Sequence, residues 1–318
     1  MRRIVVASLV TVVLGTLRLG GQAPIGLTPG SRVLLDAHNA YTENGRWADR
    51  IDRAISTGTP LAIEQDLVWF TDPASGVARS IVSHGQPFTG GEPSLRDYFF
   101  ERIRPIVEQA LKDNRRDDWP IITLNLDFKT DEPEHHAAVL ALLHEYEAWL
   151  CTASLSASPD AVATISLAPV LVLTGEQDTQ ERDFASSVPA GGKLLLFGAV
   201  HKLPSGLPGP RTNYRRWWNN SWVTIEPEGQ PKAGAWTTED EERLTTAVGA
   251  AHQGGLWIRF YTLDGYDPAD TSGGWGDSYN FGSLDAVRQR WRAAIKAGVD
   301  FVAVNQYELF AKELRGGQ

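Results

Sequence analysis

Residues 61–69 have the sequence Leu61-Ala-Ile-Glu-Gln-Asp-Leu-Val-Trp69, an apolar run with β-branched and aromatic members that predicts a buried β-strand. Its second half carries two acids, Glu64 and Asp66. Residues two apart in a strand point to the same side, so both carboxylates face one space. Adjacent carboxylates repel each other unless a cation lies between them, and an oxygen-preferring divalent ion, Mg²⁺ or Ca²⁺, suits this position. The alternative is that the two acids cap a loop or pair with arginine.

The composition is that of one ordinary globular domain. The chain has 318 residues, of which 42% are hydrophobic and 22% are charged. A chain of this length buries roughly three quarters of the surface that it exposes when unfolded. The formal net charge of -9 argues against a nucleic-acid partner, because such a partner requires a basic face that displaces phosphate counterions.

The first 23 residues have the pattern of an export signal. Two arginines precede the apolar residues 4–17, and small and polar residues follow at 20–23. The apolar run is too short to span a bilayer comfortably, so we predict an exported protein, periplasmic or extracellular. A retained membrane anchor is the alternative. Cys151 is the only cysteine, so the fold cannot rely on an intrachain disulfide.

Strand-like and helix-like segments alternate from residue 31 to residue 318 without a visible domain boundary. Strand character is found at residues 32–37, 61–66, 121–127, 170–173, 193–197, 222–225, 256–261 and 301–304. Helix character is clearest at residues 47–56, 95–112, 134–149, 238–252 and 284–296. This alternation predicts an α/β fold, a single-domain (β/α)₈ TIM barrel. A doubly wound open sheet is the alternative, and residues 158–220 are the hardest to divide into units.

The active site of a (β/α)₈ barrel lies at the C-terminal ends of its strands, and carboxylates occur there in this sequence. Glu64 and Asp66 end the second predicted strand, and Asp127 ends the third. Three carboxylates at adjacent strand ends can surround one divalent cation and leave room for a substrate oxygen. We therefore predict a site for one Mg²⁺ or Ca²⁺ at Glu64, Asp66 and Asp127.

A lysine and two histidines accompany these carboxylates and indicate an anionic substrate. Lys129 follows Asp127, and an ammonium group together with a metal can neutralise the oxygens of a phosphate. His38 follows the first strand and His84 follows the second. Cleavage of a phosphodiester requires a base for the attacking oxygen and an acid for the leaving oxygen, and His38 and His84 are the predicted pair.

Six motifs follow one another along the chain: Asp36-Ala-His-Asn-Ala-Tyr41, Ile63-Glu-Gln-Asp-Leu-Val-Trp69, Val82-Ser-His-Gly85, Ser94-Leu-Arg96, Leu126-Asp-Phe-Lys-Thr-Asp131 and Gly298-Val-Asp-Phe-Val-Ala303. The ordered set resembles the PLC-like phosphodiesterase superfamily, which includes glycerophosphodiester phosphodiesterases and sphingomyelinase D-like enzymes. It looks closest to the "altered inheritance of mitochondria" branch. The resemblance covers about residues 33–131. It implies a metal-dependent phosphoric diester hydrolase acting on a small-molecule or lipid phosphodiester, with peripheral membrane contact.

Under this resemblance the roles of single residues are implied as well. Glu64, Asp66 and Asp127 match the metal ligands, His38 and His84 the acid/base pair, and Lys129 the lysine that faces the phosphate.

One position departs from the glycerophosphodiesterase pattern, which has arginine directly after the first histidine. This chain has Asn39 there, so one phosphate contact is neutral or comes from elsewhere. Further substrate contacts are predicted at Glu226, Arg259 and Asn305, which end or lie on later strands. The alternative for each of these residues is a structural ion pair or hydrogen bond.

Two other groups of residues carry weaker expectations. His135 and His136 lie in an acidic helix start and are expected at the solvated surface. Four tryptophans are expected either to form an aromatic wall for a headgroup or to pack in the core and loops: Trp217, Trp218, Trp222 and Trp275.

Two functions of other classes remain open at this stage. A secreted glycoside hydrolase could use the same barrel, but its acids usually come from separate strands and it leaves Lys129 unexplained. A non-catalytic ligand-binding barrel is the second alternative, and the presence of both histidines and all three acids argues against it. The sequence does not distinguish between diester substrates and does not indicate an oligomeric state.

Overall fold

A computed structural model describes residues 25–43, 45–155, 158, 161–189, 191–266 and 279–316. The predicted export signal at residues 1–23 and the tryptophan at position 275 lie outside the described residues. Among the helices in the described ranges, none has both the length and the apolar character needed to cross a membrane.

The described residues form strands β1 Leu34–Ala37, β2 Leu61–Thr71, β3 Ala78–Val82, β4 Ile122–Phe128, β5 Thr152–Ser154, β6 Ile165–Ser166, β7 Val170–Thr174, β8 Lys193–Leu194, β9 Phe197–Ala199, β10 Arg215–Ser221, β11 Trp257–Tyr261 and β12 Phe301–Val304. Eight of these strands pair in parallel in the order β1-β2-β4-β7-β9-β10-β11-β12, and β12 pairs with β1 to close the sheet. The predicted TIM barrel is therefore confirmed. Closure excludes the open, doubly wound sheet.

The helices lie between and after these strands: α1 Arg50–Ser56, α2 Glu101–Asp113, α3 Pro133–Glu145, α4 Asp178–Glu181, α5 Thr238–Gln253, α6 Leu284–Ala297 and α7 Tyr307–Gly316. Helix α5 begins with a capping box. The backbone N–H of Asp240 donates to the side chain of Thr237, and the backbone N–H of Thr237 donates to the side chain of Asp240. Helix α6 ends at Gly298, whose φ of 78° is the left-handed conformation that favours glycine. Helices α5 and α6 match the predicted segments 238–252 and 284–296 within one residue, whereas α2 is preceded by a π-helical turn at Arg96–Phe100 and α3 ends four residues before the predicted end.

Strand β2 is longer than predicted and carries an antiparallel partner. Its first half lies in the barrel between β1 and β4, while residues from Leu67 onward pair with β3. Val68, Phe70 and Ile81 form a small apolar cluster of their own in this hairpin. The hairpin therefore extends the barrel at its C-terminal end, and the chain returns from it through His84.

The fifth and sixth predicted strands were misplaced. Residues 193–197 divide into β8, which belongs to a small separate sheet with β5 and β6, and the start of barrel strand β9. Residues 222–224 form a 3₁₀ turn, and β10 lies just before it. Strand β10 begins with two buried arginines, Arg215 and Arg216, whose charges hide the apolar pattern of a buried parallel strand.

Candidate active site

Parallel pairing of β1, β2 and β4 brings the predicted site residues together at the C-terminal end of the barrel. Asp66 lies opposite Asp127 in the register of β2 and β4. Strand β1 pairs with β2 at Ala37 and Ile63, so the next residues, His38 and Glu64, are neighbours. The sequence argument from strand ends therefore placed these groups at the correct edge.

The three predicted metal ligands form one carboxylate cluster. One oxygen from each of Glu64, Asp66 and Asp127 lies within 4.8 Å of the others. Asp66 is only 1% exposed, and its ion pair in the described residues is with Lys129. Buried carboxylates this close to one another repel unless a cation lies between them. This donor set of hard carboxylate oxygens fits one Mg²⁺ or Ca²⁺.

Lys129 adds a positive charge beside this cluster. Its Nζ donates to Oδ2 of Asp127 at 2.6 Å and lies 3.0 Å from Oδ2 of Asp66. Burial acts to lower the pKa of Lys129, but the charges of Asp66 and Asp127 outweigh it and raise the pKa. The pKa of Asp66 is raised well above its ordinary value by burial and by repulsion from Asp127 and Glu64. The cluster therefore holds more negative charge than one ammonium group neutralises.

Glu64 is held in place by donors on both of its carboxylate oxygens. Arg259 donates from Nη2 to Oε1 at 3.0 Å, and the backbone N–H of Asn39 donates to Oε2 at 3.0 Å. Burial alone would raise the pKa of Glu64, but His38, Arg259 and the Asn39 N–H lower it to about 2. Glu64 is thus an ionised carboxylate fixed at the floor of the cluster.

His38 is buried at the end of β1, with 4% of its surface exposed. Its Nε2 lies 3.3 Å from Oε2 of Glu64, and its ring stacks on Tyr279 with 5.6 Å between centroids. Burial lowers the pKa of His38 to about 4, although Glu64 acts to raise it. The imidazole is therefore neutral at pH 7.

A chain of buried amides determines which nitrogen of His38 carries the hydrogen. Asp264 accepts from the backbone N–H of Asn305 at 2.7 Å and from Nδ2 of Asn305 at 2.6 Å. The carbonyl oxygen of the Asn305 side chain then faces Nδ2 of Asn39 at 3.2 Å. The same Nδ2 lies 3.1 Å from Nδ1 of His38, while Oδ1 of Asn39 accepts from Tyr41 at 2.7 Å. Nδ1 of His38 is therefore an acceptor, and Nε2 is the donor.

The amide chain gives Asn39 and Asn305 a positioning role beside the cluster. Asn39 has a φ of 55°, a left-handed conformation that asparagine tolerates better than most residues. This turn directs the Asn39 N–H to Glu64 and its side chain to His38. Both amides were predicted as substrate contacts, and that role stays a prediction beside their hydrogen bonds to protein atoms.

Arg259 and Asp36 form the base of the site. The guanidinium donates from Nε to Oδ2 of Asp36, from Nη2 to Glu64, and from Nη1 to Asn219 at 3.1 Å. Asp36 lies two residues before His38, and residues two apart in a strand point to the same side, so the sequence indicated that both face the barrel interior. Asp36 is part of the first sequence motif, but the sequence alone indicated no role for it. Arg259 is 2% exposed and acts on Glu64 from beneath.

His84 lies in the loop after β3 and is partly exposed. Burial lowers the pKa of His84, and the charge of Lys129 lowers it further, while Glu43, Asp127 and Glu64 act in the opposite direction. These contributions show that the charges of the carboxylate cluster act on His84, whose side chain is exposed. His38, in contrast, is buried at the end of β1.

Glu226 lies away from the cluster, contrary to the expectation of a substrate contact. It follows the 3₁₀ turn after β10 and is 3% exposed. Arg290 of α6 donates to it twice, at 2.9 and 2.6 Å, and Nε1 of Trp222 donates at 2.7 Å. These bonds make Glu226 part of a buried ion pair that joins the barrel to α6.

His135 and His136 are fully buried, so their predicted surface position was wrong. His135 lies 2.8 Å from Oγ of Ser80 and 3.0 Å from Oγ1 of Thr130. His136 lies between carboxylates, 2.7 Å from Asp183. The first turn of α3 faces the end of β4 rather than solvent, because Phe128 of β4 packs against both rings.

Three of the four tryptophans that carried this expectation lie in the core. Trp217, Trp218 and Trp222 are each 1% exposed. Nε1 of Trp217 donates to the backbone oxygen of Thr174 at 2.9 Å. Core packing, one of the two expectations, therefore holds for these three residues.

Comparison with known proteins gives matches among solved structures only. No protein-family model matches the sequence. No curated protein matches it either. A glycerophosphoryl diester phosphodiesterase from Parabacteroides distasonis shares 12% identity over 90% of this chain and 87% of its own, with a TM-score of 0.45. A calcium-dependent phosphoinositol-specific phospholipase C from Pseudomonas shares 14% identity over 90% and 96%, with a TM-score of 0.47.

A solved structure that is not named as a phosphodiesterase is also similar to this chain. The wild-type HPPK-DHPS protein of Plasmodium falciparum shares 9% identity over 91% of this chain and 49% of its own, with a TM-score of 0.42. Likeness at these identities and TM-scores concerns the fold and says nothing about the reaction.

Proposed function

We propose that the chain is a phosphoric diester hydrolase that requires one divalent cation, Mg²⁺ or Ca²⁺, and acts on a small-molecule or lipid phosphodiester. The observation that carries this proposal is the buried carboxylate of Asp66, which lies against Glu64 and Asp127 and is paired with Lys129. A site for a metal alone has no use for an ammonium group beside its ligands. A phosphate bound there would use both positive charges.

In this proposal Glu64, Asp66 and Asp127 hold the cation, which would neutralise a non-bridging phosphate oxygen. Lys129 moves from the carboxylates to a second phosphate oxygen and stabilises the charge that develops during cleavage. Arg259 keeps Glu64 ionised and correctly oriented. Lys129 thus pairs with Asp66 and Asp127 when no substrate is bound and binds the phosphate when one is present.

The two histidines have different roles in this proposal. His84 lies at the entrance with a lowered pKa, so it is neutral at pH 7 and can accept the proton of the attacking oxygen. His38 is the proposed acid, a role that requires its imidazolium form. Glu64, 3.3 Å from Nε2, favours that form, and the Nε2 proton then goes to the leaving oxygen. Attacking and leaving oxygens lie roughly in line through phosphorus, which requires two groups on opposite sides.

The glycoside hydrolase alternative fits the geometry less well. The two carboxyl groups of a retaining glycosidase lie about 5–5.5 Å apart, and those of an inverting enzyme lie farther apart. Here one oxygen from each of three carboxylates lies within 4.8 Å of the others, and Lys129 lies directly against two of them. Crowded acids of this kind suit a cation rather than a sugar ring.

Three further parts of the proposal rest on the sequence. The protein is exported, its export signal at residues 1–23 is removed so that the mature chain starts between about residues 20 and 30, and the barrel domain at residues 31–318 remains. The intact mass of secreted material tests this. Membership of the "altered inheritance of mitochondria" branch rests on the ordered motifs. A lipid substrate adds peripheral membrane contact, which vesicle co-sedimentation measures.

Hydrolysis of bis-p-nitrophenyl phosphate tests the proposed reaction. The protein is stripped with chelator and assayed with Mg²⁺, with Ca²⁺ and with neither. Activity is expected only with a cation. Asp66→Asn should abolish it, whereas Asp285→Asn, the same change at an exposed position of α6, should not. Full activity in excess chelator would refute the metal requirement.

A further inference from the structure

A second cavity lies at the same end of the barrel as the carboxylate cluster. Its volume is about 500 Å³, and it lies between the segment that follows β1 and the turn that follows β12. Both segments leave the C-terminal ends of barrel strands. Neither the metal site nor the histidine pair uses this cavity.

The wall of the cavity carries more positive than negative charge. Three arginines line it, Arg46, Arg50 and Arg53, against two acids, Asp49 and Glu308. Arg53 and Glu308 neutralise each other through two parallel bonds of 2.7 and 2.8 Å. Arg50 is buried and donates to the backbone oxygen of Asn39, so Arg46 is the exposed guanidinium group of this wall.

Trp47 holds these two guanidinium groups close together. The central carbons of Arg46 and Arg50 each lie 4.3 Å from the centre of the Trp47 ring, so they are at most about twice that distance apart. Trp47 has a φ of 62°, a strained conformation for a bulky residue that is typical of functional sites. Like charges held this close repel each other, and a bound anion relieves the repulsion.

Arg46 is placed to contact such an anion. It is exposed, and its guanidinium group stacks on Trp47. In the described part of the chain this group makes no hydrogen bond and no ion pair. Stacking fixes the group without using its N–H donors. Five N–H donors in a planar fork match the oxygens of a carboxylate or a phosphate.

The inner wall of the cavity is shared with the active site. Arg50 donates from Nη1 to the backbone oxygen of Asn39 at 2.8 Å. Asn305 lines the cavity and also faces the side chain of Asn39. Asn39 in turn contacts His38 and Glu64. Asn39 therefore lies between a ligand in this cavity and the groups proposed to surround the substrate phosphate.

We propose that this cavity binds a second oxyanion, a carboxylate or a phosphate, on the alcohol portion of the diester substrate. The inference rests on the proposed phosphodiesterase function and narrows its substrate to diesters with an additional negative charge. Arg46 supplies the exposed contact, and Arg50 and Trp47 hold it in position. The same chemistry would also recognise free inorganic phosphate, so the experiment has to separate the two sources.

A pair of aryl diesters tests the proposal on the metal-loaded protein. One is bis-p-nitrophenyl phosphate, and the other carries a carboxylate on the ring that does not leave. The wild type should prefer the carboxylated diester in kcat/KM. Arg46→Gln should lower that preference about tenfold, the loss expected for one charge-assisted bond, and Arg46→Lys should keep most of it. The control is Arg115→Gln, an exposed arginine at the opposite end of the barrel.

Calorimetric titration of the chelator-treated protein with inorganic phosphate separates the alternatives. Phosphate binding that Arg46→Gln weakens, together with the lost preference, supports the proposal. An unchanged preference overturns it, and if phosphate binding is weakened all the same, the cavity is a site for free phosphate. A wild type that binds phosphate through Arg46 but hydrolyses no diester supports the oxyanion site and refutes the proposed reaction instead. A wild type without a preference and without phosphate binding overturns the cavity proposal alone.

Discussion

Nζ of Lys129 lies 3.0 Å from Oδ2 of Asp66, a carboxylate that is 1% exposed. The same ammonium group donates to Asp127 at 2.6 Å. One flexible cation thus neutralises two of the three carboxylates that are suited to a metal. A divalent ion and Lys129 therefore compete for the same oxygens, and this competition has consequences that can be measured.

The first prediction concerns that competition. Lys129→Met removes a positive charge beside the carboxylates, so divalent ions should bind about tenfold more tightly, because a cation a few ångströms away opposes a second one. Turnover should nevertheless fall by roughly 10²-fold, because the phosphate loses a stabilising charge. Calorimetric titration with Mg²⁺ and Ca²⁺ measures the first effect, and the diester assay measures the second. Weaker metal binding in the variant would contradict the proposed competition.

The second prediction separates metal binding from folding at Asp66. Asp66→Asn should lose most of its affinity for the metal and nearly all activity. In chelator, however, the variant should be at least as stable as the wild type, because burial of the Asp66 charge and its repulsion from Asp127 and Glu64 outweigh its attraction to Lys129. Thermal unfolding in chelator checks the stability, and titration with Mg²⁺ checks the affinity. A variant that is much less stable in chelator would show that Asp66 has a structural role.

The sequence predicted the barrel and the carboxylate cluster for a common physical reason. Parallel strands place their C-terminal ends at one edge, so Glu64, Asp66, Asp127 and Lys129 could be grouped from strand ends alone. Strand β10 escaped detection because Arg215 and Arg216 interrupt its apolar pattern, although both are buried. Their partners come from distant segments: Arg215 donates to Glu181, 34 positions away, at 2.8 Å. Such pairing is not visible in a local pattern.

The predicted role of Glu226 shows the same limit. A charged residue after a strand can face a ligand or pair with a helix, and the local sequence is identical in both cases. The structure gives both oxygens of Glu226 to Arg290, which lies 64 positions away in the chain. Only the packing of α6 against the barrel distinguishes the two roles.

The third prediction follows from that ion pair. Glu226→Gln leaves the buried guanidinium of Arg290 without its counter-ion, which should lower the free energy of unfolding by about 3–5 kcal/mol. Denaturant unfolding measures this loss. The folded fraction should keep the kcat of the wild type, because Glu226 does not contact the carboxylate cluster. A loss of kcat with unchanged stability would contradict this prediction and support a substrate contact by Glu226.

The fourth prediction concerns pH. Burial and the charge of Lys129 lower the pKa of His84 from its ordinary value of 6.5. A base must be neutral to act, so kcat/KM should fall on acidification with a midpoint below pH 6.5. In Lys129→Met the residual activity should fall at a higher pH than in the wild type, because one cause of the lowered pKa is removed. An acidic limb that does not move in this variant would exclude His84 as the titrating base.

The last prediction assigns the two histidines to opposite sides of the scissile bond. His38 is fixed on the floor of the site by Glu64, Asn39 and Tyr279, with its hydrogen on Nε2, while His84 enters from the loop after β3. His38→Ala and His84→Ala should each lower turnover of an alkyl diester by roughly 10²- to 10⁴-fold, and the double variant should lose little more than the worse single one. His144→Ala, at an exposed position of α3, is the control.

The leaving group then distinguishes acid from base. p-Nitrophenolate departs without a proton, so a diester with this leaving group no longer requires the donor. His38→Ala should therefore recover most of its activity with bis-p-nitrophenyl phosphate, whereas His84→Ala should stay impaired, because the attacking oxygen still needs a base. If only His84→Ala recovers activity with bis-p-nitrophenyl phosphate, His84 is the acid and His38 is the base. If both variants hydrolyse alkyl and aryl diesters at wild-type rates, neither histidine transfers a proton, and the carboxylate cluster must act by another mechanism.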